Sequence, residues 1–291
     1  MHSNNSQEYI KSLGETVINS MKQHGTDWKK PWTSTAVGLP ENASGHRYQG
    51  SNIFVLWFWT QANGFQSNRW ATYKGWQAEG KQISKGSKHV KIIRYGTYED
   101  KKTEETKQFI KVYPVFNEQQ TEGFEPKETE LVNKAVRIKN VENFIGKLGA
   151  TIKDAQSAFY RPDDDFIGMP VIERFDDTDT SSATENYYST LLHEHVHWSG
   201  AKKRLNREGV AGTTRSEKTY AFEELVAEFG AAILCMHKGI TDTCRPDHAK
   251  YLNHWLKHLP DNPKLVLQAM SQASKAVTYL LEKGESNAKA N

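Results

Sequence analysis

The chain has 291 residues, 37% of them hydrophobic and 25% charged, with a formal net charge of +3, which at about 150 residues per domain is room for two domains. No apolar run approaches the roughly 18 residues a membrane helix needs, so a membrane partner is not expected. Two cysteines, Cys235 and Cys244, exclude a disulfide framework and a Cys-rich zinc module. The polar start, MHSNNSQEYIKS, lacks the apolar centre of a signal peptide, and the cytoplasm is the expected location.

The small net charge hides a polarised chain. Of 38 Lys+Arg and 35 Asp+Glu, residues 1–120 hold 16 and 10, a net of +6, which leaves 22 and 25, a net of −3, for the remainder. The first half opens with a helical pattern through Tyr9, Leu13, Val17, Ile18 and Met21, ending at Gly25. Short β-like runs follow at Ile53–Trp59, Val90–Tyr95 and Phe109–Phe116, separated by Gly, Asn and Ser. The Glu-rich stretch Asn117–Glu130, with little to bury, is the expected linker. The division is therefore placed at residues 1–126 and 127–291.

The second half is mostly helical. Apolar spacing predicts helices over Glu185–Ser199, stopped by Gly200, and over Ser216–Lys238. Two more are predicted over Asp247–His258 and Pro263–Glu282, and only Gly284–Asn291 is expected to fray. The fold class is α+β: a small α+β amino-terminal domain followed by a mainly helical one.

The segment LLHEHVHWSG places His193, Glu194 and His197 in an H-E-x-x-H pattern on the first of these helices. An i, i+4 step turns a helix by about 400°, so both imidazoles project from one face and can grip one ion. Hydrolysis needs a water acidified by that ion and a carboxylate, here Glu194, to take its proton. A catalytic zinc site usually has three protein ligands. The helix YAFEELVAEFGAAILCM offers Glu224 and Glu228 on a face shared with Tyr220 and the small residues Ala227, Ala231 and Cys235. No Lys or Arg occurs from Tyr220 to Met236, which argues for a buried face against another helix rather than a solvated one. Glu224 is assigned to the metal and Glu228 to support of a ligand histidine, an order that could be reversed; Glu223, about 100° away, is less favoured. Tyr220 is a candidate for stabilising an oxyanion, or a structural aromatic at a helix start. His195 points away from the metal face and is read as packed or on the surface. The metal is expected to be Zn²⁺, with Mn²⁺, Co²⁺ or Ni²⁺ accepting the same donors.

Six of the eight Trp lie between Trp28 and Trp76, and the stretch Arg69–Arg94 holds seven cations (Arg69, Lys74, Lys81, Lys85, Lys88, Lys91, Arg94) against Glu79 alone. Cations track phosphates and exposed aromatic faces stack on unpaired bases, a combination suited to single-stranded nucleic acid. The alternative is that the Trp are core and the Lys a solvated face. Within NIFVLWFW the aromatics are expected to be mostly buried, whereas Trp70, Tyr73 and Trp76 are the stacking candidates.

Taken together, GTDWKKPW, GHRYQGSNIFVLW, NRWATYKGWQAEGKQISKG and VFNEQQTEG in the first half, with IGMPVIERF, YYSTLLHEHVHWSGAKKRLNR and YAFEELVAEFGAA in the second, resemble the plasmid and phage antirestriction proteins of the ArdC type. The resemblance implies a single-stranded-DNA-binding domain joined to a zincin-like metallopeptidase domain, in a protein that helps incoming DNA escape restriction. It maps His193 and His197 onto the metal histidines, Glu194 onto the catalytic glutamate, and Glu224 with Glu228 onto the downstream acidic helix. It also maps Arg47, Tyr48, Asn52, Arg69, Trp70, Lys74 and Gln82 onto the DNA-binding domain; Trp76, Lys81, Lys85 and Lys88 complete the expected nucleic-acid surface. A peptide-bond hydrolase with an unknown protein substrate is the reading, and Phe166–Val171 is expected to be a strand that pairs with that substrate. The competing readings are a non-enzymatic DNA-shielding protein with a structural metal site, and a peptidase for DNA-bound proteins.

Overall fold

The computed structural model describes residues 8–15, 18–19, 38–99, 106–126, 134–178, 181–212, 216–240 and 264–285. The predicted helix Asp247–His258 lies outside them, as do Trp28 and Trp32 of GTDWKKPW.

Residues 8–15 and 18–19 are helical, in keeping with the opening apolar spacing, and Ile10, Leu13 and Ile18 are buried. The amino-terminal sheet has the order β1 (Glu41–Asn42), β2 (Arg69–Ala71), β4 (Thr106–Asn117), β3 (Val90–Glu99). β1 runs parallel to β2, and β4 is antiparallel to both β2 and β3. The expected strands at Val90–Tyr95 and Phe109–Phe116 fall within this β3–β4 hairpin.

The apolar run Ile53–Trp59 is not a strand. It lies in helix α1 (Ser51–Asn63). A run apolar on every position has neither a period of 2 nor of 3.6, so its pattern cannot choose between strand and helix, and a helix apolar all round is stable only when enclosed. Enclosure is what it finds. Phe54, Leu56 and Trp57 are buried, and the Phe54 ring meets Phe229 of the carboxy-terminal half edge-on, with centroids 4.8 Å apart. Asn52 fastens α1 to β3 by accepting from the Ile93 N–H and donating to the Ile93 carbonyl, at 2.9 and 2.7 Å. One continuous apolar core thus runs from Ile93 and Phe54 to Phe229 and Leu267.

The Glu-rich stretch is part of the fold at its start. Asn117 ends β4, and Glu118–Gln120 form a 3₁₀ turn closed by a reciprocal capping box between Asn117 and Gln120. Glu118 and Thr121 are buried. A short α2 (Tyr73–Ala78), capped by Thr72, packs beside this turn.

After α3 (Lys134–Leu148) comes a second sheet of order β5 (Thr151–Asp154), β7 (Phe166–Met169), β6 (Phe159–Arg161). The expected strand is there, but it is the middle one, parallel to β5 and antiparallel to β6. Both hydrogen-bonding edges of β7 are taken, so an extended substrate cannot add to it; the edges belong to β5 and β6.

The helices α4 (Ala183–Ser199) and α6 (Glu217–Lys238) match the predicted ones closely, with capping boxes at Ser182 and Ser216 and stops at Gly200 and Gly239. A single turn, α5 (Glu208–Ala211), lies between them, and α7 (Lys264–Glu285) packs against α6. Gly230 sets the α4–α6 distance: a Cβ there would meet Val196 Cγ2 at 2.7 Å.

Candidate metal centre and nucleic-acid surface

On α4, His193 and His197 are buried and turn their rings toward α6, Nε2 to Nε2 at 3.1 Å. Glu224 on α6 faces both, with Oε2 3.5 Å from His193 Nε2 and Oε1 3.5 Å from His197 Nε2. Metal–nitrogen bonds of about 2.0–2.1 Å at tetrahedral angles put neighbouring donor atoms about 3.3 Å apart. The triad His193, His197, Glu224 therefore fits one ion, and it is the only such cluster among the described residues. The charge balance agrees. Burial alone would lower the His197 pKa, yet the Glu224 and Glu223 carboxylates hold it up at about 10, and Glu224 stays well below the ordinary carboxylate range despite its own burial. Two buried carboxylates around two imidazoles favour positive charge between them.

Each of these two histidines has a carboxylate behind it. Glu228 Oε1 is 3.5 Å from His193 Nδ1. Glu223, the less favoured acid, does the same for His197, with Oε1 3.2 Å from its Nδ1. Glu223 is in turn held by Arg207, whose Nε lies 3.0 Å from Oε2 and whose Nη2 lies 2.5 Å from Oε1. The same guanidinium donates to Ser199 Oγ and the Val196 carbonyl, so the buried arginine ties the end of α4 to α6. The one-turn step along α6 that favours Glu224 with Glu228 says nothing about Glu223, whose cation comes from a loop 16 residues earlier.

Glu194 is buried beside His193 on α4. Tyr220 is half-buried in the first turn of α6. His195 is packed, its Nδ1 2.7 Å from the Leu191 carbonyl, and burial pushes its pKa down to about 4, so it stays neutral. Cys235 is buried, as a small side chain on that face should be.

The expected stacking surface differs from expectation. Trp70 lies in β2 and Trp76 in α2, both fully buried, so neither ring can receive a base. Trp76 donates from Nε1 to the Phe116 carbonyl at 3.0 Å, and Trp70 packs edge-on against Phe65. The cations beside them are paired: Glu118 accepts from Arg69 at 2.5 Å and from Lys81, and both cations lie over the Trp76 ring. The acid that bridges them comes from beyond the window in which they were counted, and Arg69 also faces Glu79, within that window, at 3.8 Å. Tyr73 is 41% exposed, and Lys74, Lys85 and Lys88 are exposed. Tyr48 is half-buried, its hydroxyl donating to the Trp70 carbonyl at 3.0 Å. Gln82 bonds Tyr73 and is exposed. Arg47 is exposed near the ends of α6 and α7, where its charge adds to burial in lowering His237.

Two family models cover the chain almost end to end: the N-terminal domain of anti-restriction factor ArdC over residues 7–141, and a zincin-like metallopeptidase over residues 139–272. They meet inside α3. The crystal structure of the antirestriction ArdC protein from plasmid R388, in its metal-free form, superposes with a TM-score of 0.77 at 31% identity, covering 95% of this chain and 98% of that one. The chain belongs to the ArdC antirestriction family. The Mn(II)-bound form of the R388 protein matches equally, with a TM-score of 0.77. The y4eC protein of Sinorhizobium fredii is 33% identical over 279 residues, 91% of this chain and 88% of that protein. DNA primase TraC of Escherichia coli is 32% identical over 300 residues, which is 94% of this chain and 27% of the primase. Nearly the whole of this chain is therefore matched by about a quarter of a larger protein. No helix among the described residues is long and apolar enough to cross a membrane.

Proposed function

We propose that this ArdC-family chain binds single-stranded DNA through its amino-terminal half and hydrolyses peptide bonds at the His193–His197–Glu224 centre, protecting incoming DNA from restriction in the cytoplasm. The observation that carries the hydrolytic part is the donor geometry of that triad, with Glu194 on the same helix beside His193. A bound Zn²⁺, or Mn²⁺, as in the R388 relative, supplies a Lewis acid and lowers the pKa of water toward about 7. The chain's own residues do the rest: His193, His197 and Glu224 hold the ion, Glu194 takes the proton from the attacking water and passes it to the leaving amine, and Tyr220 supplies a hydroxyl for the developing oxyanion.

Glu194→Gln tests this reading. The variant should bind metal like the parent yet lose protein cleavage in cells and protection of plasmid DNA entering a restricting host. Full protection by a metal-loaded Glu194→Gln protein would assign antirestriction to DNA shielding alone. Proteins cleaved only when the parent is present, identified by their new amino termini, would supply the substrate.

A further inference from the structure

Part of the patch expected to meet DNA is committed: two of its three stacking candidates, Trp70 and Trp76, are buried, and two of its seven cations, Arg69 and Lys81, are paired with Glu118. A different surface has the missing features. A cleft of about 960 Å³ opens between β3 and the amino-terminal end of α1 on one side and α7 on the other. That is the upper end of the roughly 300–1,000 Å³ range of small-ligand sites. Ile93 and Leu267, both buried, give it an apolar floor. Its walls are stitched by the Gly50 N–H, which donates to Ser274 Oγ at 2.8 Å.

Three exposed cations line the cleft from both walls: Arg94 on β3, and Lys264 and Lys275 on α7. The two lysines share a face of α7 with Gln268 and Ser271, at steps of four, three and four residues, and stand about 16 Å apart along the axis. Tyr95, next to Arg94, is 59% exposed and also lines the cleft. Glu282 is the acid in the lining, at the far end of the α7 stripe.

We infer that a single nucleic-acid strand lies in the cleft between β3 and α7, with Tyr95 as a stacking platform for a base and Arg94, Lys264 and Lys275 as its phosphate contacts. This rests on the single-stranded-DNA reading above and gives it a place, extending the binding surface from the amino-terminal half onto α7. A platform beside cations is sequence-tolerant and needs unpaired bases, because every base has a π-face that only an open strand presents. Glu282 confines the strand to the Lys264–Lys275 part of the stripe. Because α7 packs on α6, the helix that supplies Glu224, a strand in this cleft lies against the layer that builds the metal centre.

The test is fluorescence anisotropy of the full chain with a labelled oligo-dT over a range of salt. The Arg94→Gln, Lys264→Gln, Lys275→Gln triple variant should bind at least about tenfold more weakly, with the slope of log affinity against log salt reduced by about 2, since each phosphate contact on a single strand contributes about 0.7. Tyr95→Ala should lose about tenfold and Tyr95→Phe less than about twofold. Lys74→Gln, Lys85→Gln, Lys88→Gln should stay near the parent. If that second triple loses affinity while the first triple and Tyr95→Ala bind like the parent, DNA binding stands and the cleft is overturned. If Tyr95→Ala alone is unaffected, the stacking platform is overturned. If the parent binds duplex more tightly than oligo-dT, or neither, the single-strand reading itself falls.

Discussion

Glu223 on α6 and His197 on α4 face each other at 3.2 Å, Oε1 to Nδ1, and the same carboxylate is gripped by the buried guanidinium of Arg207. The imidazole is thereby fixed with its Nε2 toward Glu224, and its Nδ1 proton has an acceptor. Glu223→Gln keeps the size of the side chain and removes its charge. Zinc affinity measured by titration calorimetry should fall about ten- to a hundredfold, the usual effect of losing such an outer partner. An unchanged affinity in a folded variant would mean that His197 needs no orientation.

The two other acids of α6 should separate in the same assay. Glu224 faces both Nε2 atoms, whereas Glu228 faces only the Nδ1 of His193. Glu224→Ala is expected to abolish stoichiometric metal binding. Glu228→Gln should weaken it about ten- to a hundredfold and leave the stoichiometry at one. The reverse pattern would exchange their roles.

The metal centre depends on how closely α4 and α6 approach. A Cβ on Gly230 would sit 2.7 Å from Val196 Cγ2, so Gly230→Ala must displace the Val196 side chain or the helices that carry the two residues. The expected cost is about 1–3 kcal/mol, the usual range for overpacking a core. Thermal unfolding should show a lower Tm, partly recovered in the Gly230→Ala, Val196→Ala double variant. Recovery fails if the strain is elsewhere.

Acid sensitivity of the first sheet should centre on Glu118. Burial raises its pKa, but Lys81, Ser67 and Arg69 more than offset this and hold it below the ordinary value of 4.5. A carboxylate depressed on folding adds stability above its unfolded pKa, and that stability is lost as pH falls through the folded one. Glu118→Gln should therefore lower the Tm at pH 7 and lose less than the parent between pH 5 and pH 3. The destabilisation at pH 7 should be about 2 kcal/mol, because Lys81 loses its carboxylate and Arg69 keeps only the longer contact to Glu79, at 3.8 Å. Parallel pH curves for parent and variant would show that Glu118 is not the titrating group.

Local signals were enough for the helices of the second half and for the core of its candidate metal site. The capping residues Ser182 and Ser216, the stop at Gly200 and the i, i+4 histidines are short-range features, and the structure places His193 and His197 on one face as their spacing dictates. Lack of any Lys or Arg over Tyr220–Met236 likewise marked a buried face. By contrast, Glu223 was legible only once Arg207 folded onto it, because its partner is a loop side chain that no helical period points to.

What sequence alone determined is the chemistry available: a charge-polarised chain, two histidines and a run of acids at ligand spacing, and a half rich in Trp and Lys. Tertiary structure decided which of those groups are spent on the fold. It made Ile53–Trp59 a helix because only a surrounding core can stabilise an element apolar on all sides. It buried Trp70 and Trp76, and it paired Arg69 and Lys81 with a glutamate some 50 and 37 residues away in the chain. Charge and aromaticity are properties of residues, but accessibility is set by long-range packing, so the basic, aromatic character could be counted in advance while its working surface could not.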